Sequence, residues 1–212
     1  MDNGCGMTYT AMFTAAELVG DDAYRDYAYN RLSFLAEVLP SFGRVYEKYG
    51  VTDSEVIQLL SPRALDDCGT MCAAMIKACL AEEISGSRPL IEDWVNTVMY
   101  RTTCLTDGTF SRDCPFQHTL CLDDMYKGIP VLAWMGTFSK YIQTKYYQKT
   151  LAQIDGFVDR LFVPEKGLFR HGWVEGMKVH PSYYWGPANG MAMLASVSYT
   201  HLRAHETELH LV

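Results

Sequence analysis

The sequence predicts an all-α fold, a toroid of helical hairpins, and three observations predict it. Apolar residues recur at helical spacing along most of the 212-residue chain. Helix–turn–helix units repeat with a period of roughly 55–65 residues, longer than the about 34–47 of common helical solenoids. Long return loops carrying Gly, His, Trp and Arg follow these units, which collects the chemically capable side chains at one end of such an array.

The first hairpin sets Met12, Phe13, Ala16 and Val19 on one face of a helix over 9–19. It turns at Gly20-Asp21-Asp22 and continues with Tyr24, Tyr27, Ala28, Leu32 and Leu35 on a second helix. The second hairpin runs over 70–83, turns through Ser85-Gly86-Ser87-Arg88-Pro89 and returns over 90–100. Strand signals are sparse: 95–103 holds β-branched residues that suit a strand as well as a helix. The third hairpin runs over 124–142, turns at Gln143-Thr144-Lys145 and returns over 146–161. Two return helices lead into Thr106-Asp107-Gly108-Thr109-Phe110 and Pro164-Glu165-Lys166-Gly167-Leu168-Phe169, which share Gly-x-Phe, a turn followed by an aromatic. After Ala195 the helical pattern ends, and 197–207 resembles translated adapter sequence. The expected organisation is therefore one partial domain over 1–196 and a non-native tail over 197–212. His201 and His205, spaced as metal ligands on one helical face, and His210 fall in that tail and are set aside with it.

Composition narrows the function classes. At 49% hydrophobic and 20% charged residues the chain is globular and can bury a core. A net charge of −7 excludes a nucleic-acid surface, which needs clustered Lys and Arg. Among the residues no apolar run is long enough to span a bilayer, and no signal peptide is visible. Seven cysteines without a dense framework imply reduced thiols in a reducing, cytoplasmic setting. The Cys and His spacings match no zinc site, so neither a metal nor another cofactor is expected.

Two copies of Leu-Asp-Asp carry the chemistry. Leu65-Asp66-Asp67 opens one apolar helix and Leu122-Asp123-Asp124 opens another. Acids at helix N-termini cap free N–H groups and complement the helix dipole, which accounts for either pair alone. Two pairs in one setting suggest carboxylates gathered to protonate and hydrate a sugar. Asp123, with His118, Cys121 and Tyr126 beside it in sequence, is the expected acid, its ionisation raised toward neutrality by burial and a second carboxylate. Asp124 is expected to cap. Gly167-Leu168-Phe169-Arg170-His171-Gly172-Trp173 brings Arg, His and Trp together, suited to a carboxylate and a sugar ring or to plugging the neighbouring helices. Tyr183-Tyr184-Trp185-Gly186-Pro187-Ala188-Asn189-Gly190 suits a carbohydrate-stacking wall or a packing turn. Arg112, in Asp107-Gly108-Thr109-Phe110-Ser111-Arg112, is expected to be a solvated loop cation.

Taken in order, Gly20-Asp21-Asp22-Ala23-Tyr24, Leu65-Asp66-Asp67-Cys68-Gly69, Asp107-Gly108-Thr109-Phe110, Leu122-Asp123-Asp124-Met125-Tyr126, Gly167 to Trp173 and Trp185-Gly186-x-x-Asn189-Gly190 resemble the unsaturated rhamnogalacturonyl hydrolases, glycoside hydrolase family 105, relatives of the family 88 unsaturated glucuronyl hydrolases. The resemblance implies a six-hairpin α/α barrel, of which this chain would supply a part. It implies a substrate, an oligosaccharide ending in a Δ4,5-unsaturated uronic acid, and a reaction, hydration of the C4=C5 enol ether. Asp123 matches the general acid/base, and Asp67, or its neighbour Asp66, the second carboxylate. His171 and Trp173 match the substrate-contacting loop, and His118, Arg170, Trp185 and Asn189 are expected to contact substrate beside them. The family commonly has Arg where this chain has Pro187 and Trp where it has Met191. Arg170 or Arg112 is left to meet the uronate carboxylate. The alternative is a helical-repeat scaffold that binds protein or glycan through its loops without catalysis.

Overall fold

Helix α1 (Asn3–Val19) stops where the chain turns left-handed at Gly20, φ +71°, whose N–H closes on the Ala16 carbonyl at 2.9 Å. Asp21 then caps α2 (Asp22–Tyr49), its carboxylate accepting from the Ala23 N–H at 2.9 Å. The computed structural model describes residues 3–50 and 56–209 and divides into two units, Met1–Arg101 and Thr102–Val212.

In the first unit α2 runs past Leu35 and through Pro40, ending at Gly50 in a left-handed cap. Helices α3 (Ile57–Leu60), α4 (Leu65–Ala81) and α5 (Ser87–Asn96) follow, and a wider π-helical turn over Thr97–Arg101 completes the second hairpin's return. The stretch with open strand-or-helix character is thus helical up to Arg101. Helix α4 is buried almost all round from Cys68 to Ile76 because α1, α3 and α5 pack on it. Trp94, with no exposed surface, donates Nε1–H to the Leu59 carbonyl at 2.8 Å and ties α5 to α3. Gly6 marks the closest approach of α1 to α4: a methyl group there would lie 2.5 Å from the Met71 nitrogen.

In the second unit α6 (Asp124–Phe138) packs against both α7 (Gln143–Leu161) and α8 (Gly186–Leu209). That explains why 124–133 is buried throughout and reads as continuous apolar sequence instead of a stripe. Gly128 and Gly136 sit against the Phe110 and Tyr147 rings. The hairpin turn differs from expectation: α6 stops at Phe138, a short 3-10 turn covers Lys140–Ile142, and Gln143 already opens α7.

Among the described residues, four short strands escaped the sequence reading. Strand β1 (Thr119–Cys121) pairs antiparallel with β4 (Gly172–Val174), Leu120 opposite Trp173. Strands β2 (Phe162–Val163) and β3 (Leu168–Phe169) form a hairpin closed by Gly167 at φ +62°. Gly108, φ +87°, closes a second turn whose flanks meet in a Cys104–Phe110 bridge. Both Gly-x-Phe motifs are thus hairpin turns, with glycine supplying the left-handed residue and Phe entering the ladder. Buried Gln153 of α7 clamps the first turn, donating to the Gly108 carbonyl and accepting from the Phe110 N–H, each at 2.7 Å.

The expected end of helix near Ala195 is corrected: α8 continues to Leu209. Ala188, Ala192, Ala195 and Leu202 keep one buried face at helical spacing, and Tyr199 meets the Tyr147 ring edge-on at 5.9 Å, so the apolar pattern does not lapse at 197. The side chains of His201 and His205, and all of His210, lie outside the described residues. Among the described residues no helix is long and apolar enough to cross a membrane.

Candidate active site

The β1–β4 ribbon delivers the second acid pair to its place. Past Cys121 the ladder gains one more bond, from the Leu122 N–H to the His171 carbonyl at 2.9 Å. The Leu122 and Asp123 carbonyls then accept from Met125 and Tyr126, which starts α6. Asp123 stands at the helix N-cap, yet its side chain makes no capping hydrogen bond to the helix. Its Oδ2 instead receives Lys127 Nζ, one helical turn on, with Arg112 Nη2 3.5 Å away.

Asp124 is no simple cap either. Arg112 grips it with both edges of the guanidinium, Nε to Oδ2 at 2.6 Å and Nη2 to Oδ1 at 2.5 Å, and Lys127 Nζ lies 3.5 Å from Oδ1. The side chains of Asp124 and Lys127 are 2% and 7% exposed, those of Asp123 and Arg112 17% and 29%. Asp123 and Asp124 thus share Arg112 and Lys127, and Asp123 is the more exposed of these two acids. Arg112, expected to be solvated, is corrected to a buried-pair partner. Lys127 was missed, although a lone cation four residues after an acid in an apolar helix was a visible signal.

The electrostatics also correct the expected direction for Asp123. Burial alone would raise its carboxyl, but Lys127 and then Arg112 outweigh burial and hold it below the ordinary carboxylate value. Asp124 moves the other way: burial lifts it against the pull of Arg112 and Lys127. Nearby, burial and then Asp124 push the Cys121 thiol up to about 11, so it stays neutral at physiological pH.

Strand β4 and its flanks hold the aromatic groups. The His171 ring packs on Tyr183 at 5.2 Å and edge-on to Trp185 at 5.0 Å, and the His171 N–H bonds to the Tyr183 carbonyl. His171 Nδ1 and the adjacent Arg170 Nε are both buried without a hydrogen-bond partner. Trp173 stacks on His180 at 5.4 Å and has the Arg160 guanidinium 5.4 Å from its ring centre. Arg160, unnoticed in the sequence, also binds Asp107 at 2.5 Å and so joins the first Gly-x-Phe turn to Trp173. His118, at φ +55°, sets Nδ1 2.5 Å from Glu175 Oε2. Asn189 faces inward to the protein: it accepts from the Phe169 N–H at 2.8 Å and donates to the Phe169 and Trp185 carbonyls at 3.0 and 3.1 Å. Its amide therefore fastens β3 to α8.

The first acid pair belongs to the other unit. There Asp67 Oδ2 accepts from the backbone N–H groups of Arg63 and Ala64 at 2.7 and 3.0 Å, closing the N-terminus of α4. Asp66, one residue earlier, lies in the same first turn of α4 and is half-buried.

The all-α fold is shared by known structures. The chain matches a family 105 glycoside hydrolase of C. acetobutylicum ATCC 824 with a TM-score of 0.66 at 13% identity, over 95% of this chain and 53% of that one. A possible family 105 member from Klebsiella pneumoniae subsp. pneumoniae MGH 78578 gives 0.67 at 15% identity, over 96% and 48%. Another from Salmonella enterica subsp. enterica serovar Paratyphi A str. ATCC 9150 gives 0.66 at 14%, over 96% and 49%. The chain spans about half the length of the structures it matches. No curated protein matches it in sequence. The chain belongs to glycosyl hydrolase family 88, whose model matches residues 2–208.

Proposed function

We propose that the protein is a hydrolase of oligosaccharides ending in a Δ4,5-unsaturated uronic acid, with Asp123 as its general acid/base. The observation that carries this reading is that Asp123, at the start of α6, is not used as a cap but is held by cations with its carboxylate partly open to solvent. Protonation of C4 by Asp123 leaves positive charge at C5, stabilised by the ring oxygen. The resulting Asp123 carboxylate then takes a proton from the water that adds at C5. The product is a hemiketal, which collapses to open the ring and release the next sugar. One carboxylate serves both steps, as general acid and then as general base.

Family membership and the ordered motifs support the unsaturated uronide as substrate. Of the two acids on α4, Asp66 is the better candidate for the second carboxylate, because two backbone N–H groups already engage Asp67. Arg112 is committed to Asp124, which leaves Arg170, with its unpartnered Nε, to meet the uronate carboxylate. His171, Tyr183 and Trp185 offer ring faces and edges for the sugar. Trp173, Asn189 and His118 are occupied by Arg160 and His180, by Phe169 and Trp185, and by Glu175, and in this reading they shape the site's walls.

The test follows loss of the ultraviolet absorbance of the conjugated enol-ether carboxylate. Unsaturated galacturonyl-rhamnose and glucuronyl disaccharides should both be offered. Asp123→Asn should lower kcat by at least ~10²-fold. Absence of decay with either sugar refutes the reaction and favours the scaffold reading.

A further inference from the structure

Resting on the reading just given, we propose that Lys127 is a positioning residue for Asp123: its ammonium fixes the direction of that carboxylate and sets the pH range over which it exchanges its proton. Lys127 is flanked by buried Met125, Tyr126, Gly128 and Ile129 and is itself 7% exposed. An ammonium in such surroundings is costly unless paired. Asp124 already has both oxygens filled by the Arg112 fork, and Lys127 stands 3.5 Å from it. The close partner of Lys127 is Asp123, on the same face of α6 one turn back.

The number of cations gives the pair its meaning. With Lys127 present, both it and Arg112 face Asp123 and Asp124, and Asp123 is comfortable ionised. Without Lys127 a single cation, already bidentate on Asp124, faces both acids, and retaining a proton on Asp123 becomes the cheapest remedy. Lys127 and Asp124 from α6, Arg112 from the preceding loop and the neutral Cys121 thiol from β1 act on Asp123. Of the two cations Lys127 is the closer, with Arg112 Nη2 at 3.5 Å. In the reaction proposed above, C4 is protonated only while Asp123 carries its proton, so Lys127 confines turnover to the acid side. The compensation is a carboxylate held still for the water step.

The proposal is tested by following the Asp123 carboxyl carbon through a pH titration of the whole chain, the signal being identified by its disappearance in Asp123→Asn. Lys127→Met should raise the midpoint by about one pH unit or more. Lys127→Arg, which keeps the charge, should leave the midpoint in place. An unmoved midpoint in Lys127→Met overturns the proposal, whether or not the chain turns over any sugar. Should that variant fail to fold, Lys127→Gln replaces it with the same expectation. With unsaturated uronide as substrate, the alkaline limb of the kcat/KM profile should shift upward in parallel, together with a lower plateau. If the unsubstituted chain turns over no uronide, the reaction is refuted while the midpoint comparison still decides the role of Lys127.

Discussion

Replacing Arg112 with Met is the sharpest single test of the cluster at the mouth of α6. The Asp124 side chain is 2% exposed and takes two short bonds from Arg112, so water cannot step in when the guanidinium is lost. Breaking a buried pair by removing one partner costs about 3–5 kcal/mol. Lys127, 3.5 Å away, remains to compensate in part, which places the expectation near the lower end, about 3 kcal/mol. For a chain of this length that corresponds to a fall in Tm of roughly 6–12 °C.

The loss should depend on pH, and its sign follows from Asp124. Burial already raises that carboxyl in the folded state, and removing Arg112 takes away the main opposing influence. The folded variant then binds a proton more readily than the unfolded chain, so its stability falls as pH rises through the folded value. The deficit should be full at pH 7 and shrink as pH falls toward the ordinary Asp value of about 3.9. Urea unfolding at both ends of that range measures it. The double variant Arg112→Met/Asp124→Leu, which removes both charges, should recover most of the loss. A deficit below about 1 kcal/mol at pH 7, or one that deepens on acidification, refutes the buried-pair account.

Other positions give further expectations. Gly6→Ala should destabilise the chain by about 1–3 kcal/mol, because the added methyl meets Thr70 and Met71 backbone that cannot swing aside; thermal unfolding checks it. Gln153→Leu should cost about 1–3 kcal/mol and speed hydrogen exchange at the Phe110 amide, whose buried N–H would lose its acceptor. Asp67→Ala should behave as the loss of a helix cap, about 1 kcal/mol, and Asp66→Asn should reduce turnover of unsaturated uronides more than Asp67→Asn does.

The helices were legible because burial is written into spacing. Gly20 and Asp21 announced the first turn through left-handed geometry and capping, and the apolar runs of α4 and α6 announced their central positions. The extension of α8 was also written in Ala188, Ala192, Ala195 and Leu202, but the resemblance of the tail to adapter sequence overrode the periodicity. The strands were not legible, since two or three residues carry no alternation and the β1–β4 pairing joins segments distant in sequence. In the site, residue type pointed to the acids, yet their division of labour was hidden. The two Leu-Asp-Asp motifs are alike only in appearance: backbone N–H groups engage Asp67, while cations engage Asp123 and Asp124. That difference depends on Lys127, whose spacing from Asp123 could be read in the sequence, and on Arg112, whose relevance appears only when the fold brings it to the carboxylates.

The ribbon that joins Leu122 to His171 has a consequence for how the molecule assembles. Helices α6 and α7 are neighbours in sequence and can meet early, since closing a short loop costs little entropy. The β1–β4 bond crosses that whole hairpin and must wait for it. On a ribosome the acid loop emerges first and stands without its aromatic wall until β4 and the start of α8 have left the exit tunnel. The aromatic groups beside β4 therefore arrive late and all together, and slow synthesis between Phe138 and Gly172 would lengthen the interval in which Asp123 is present without them.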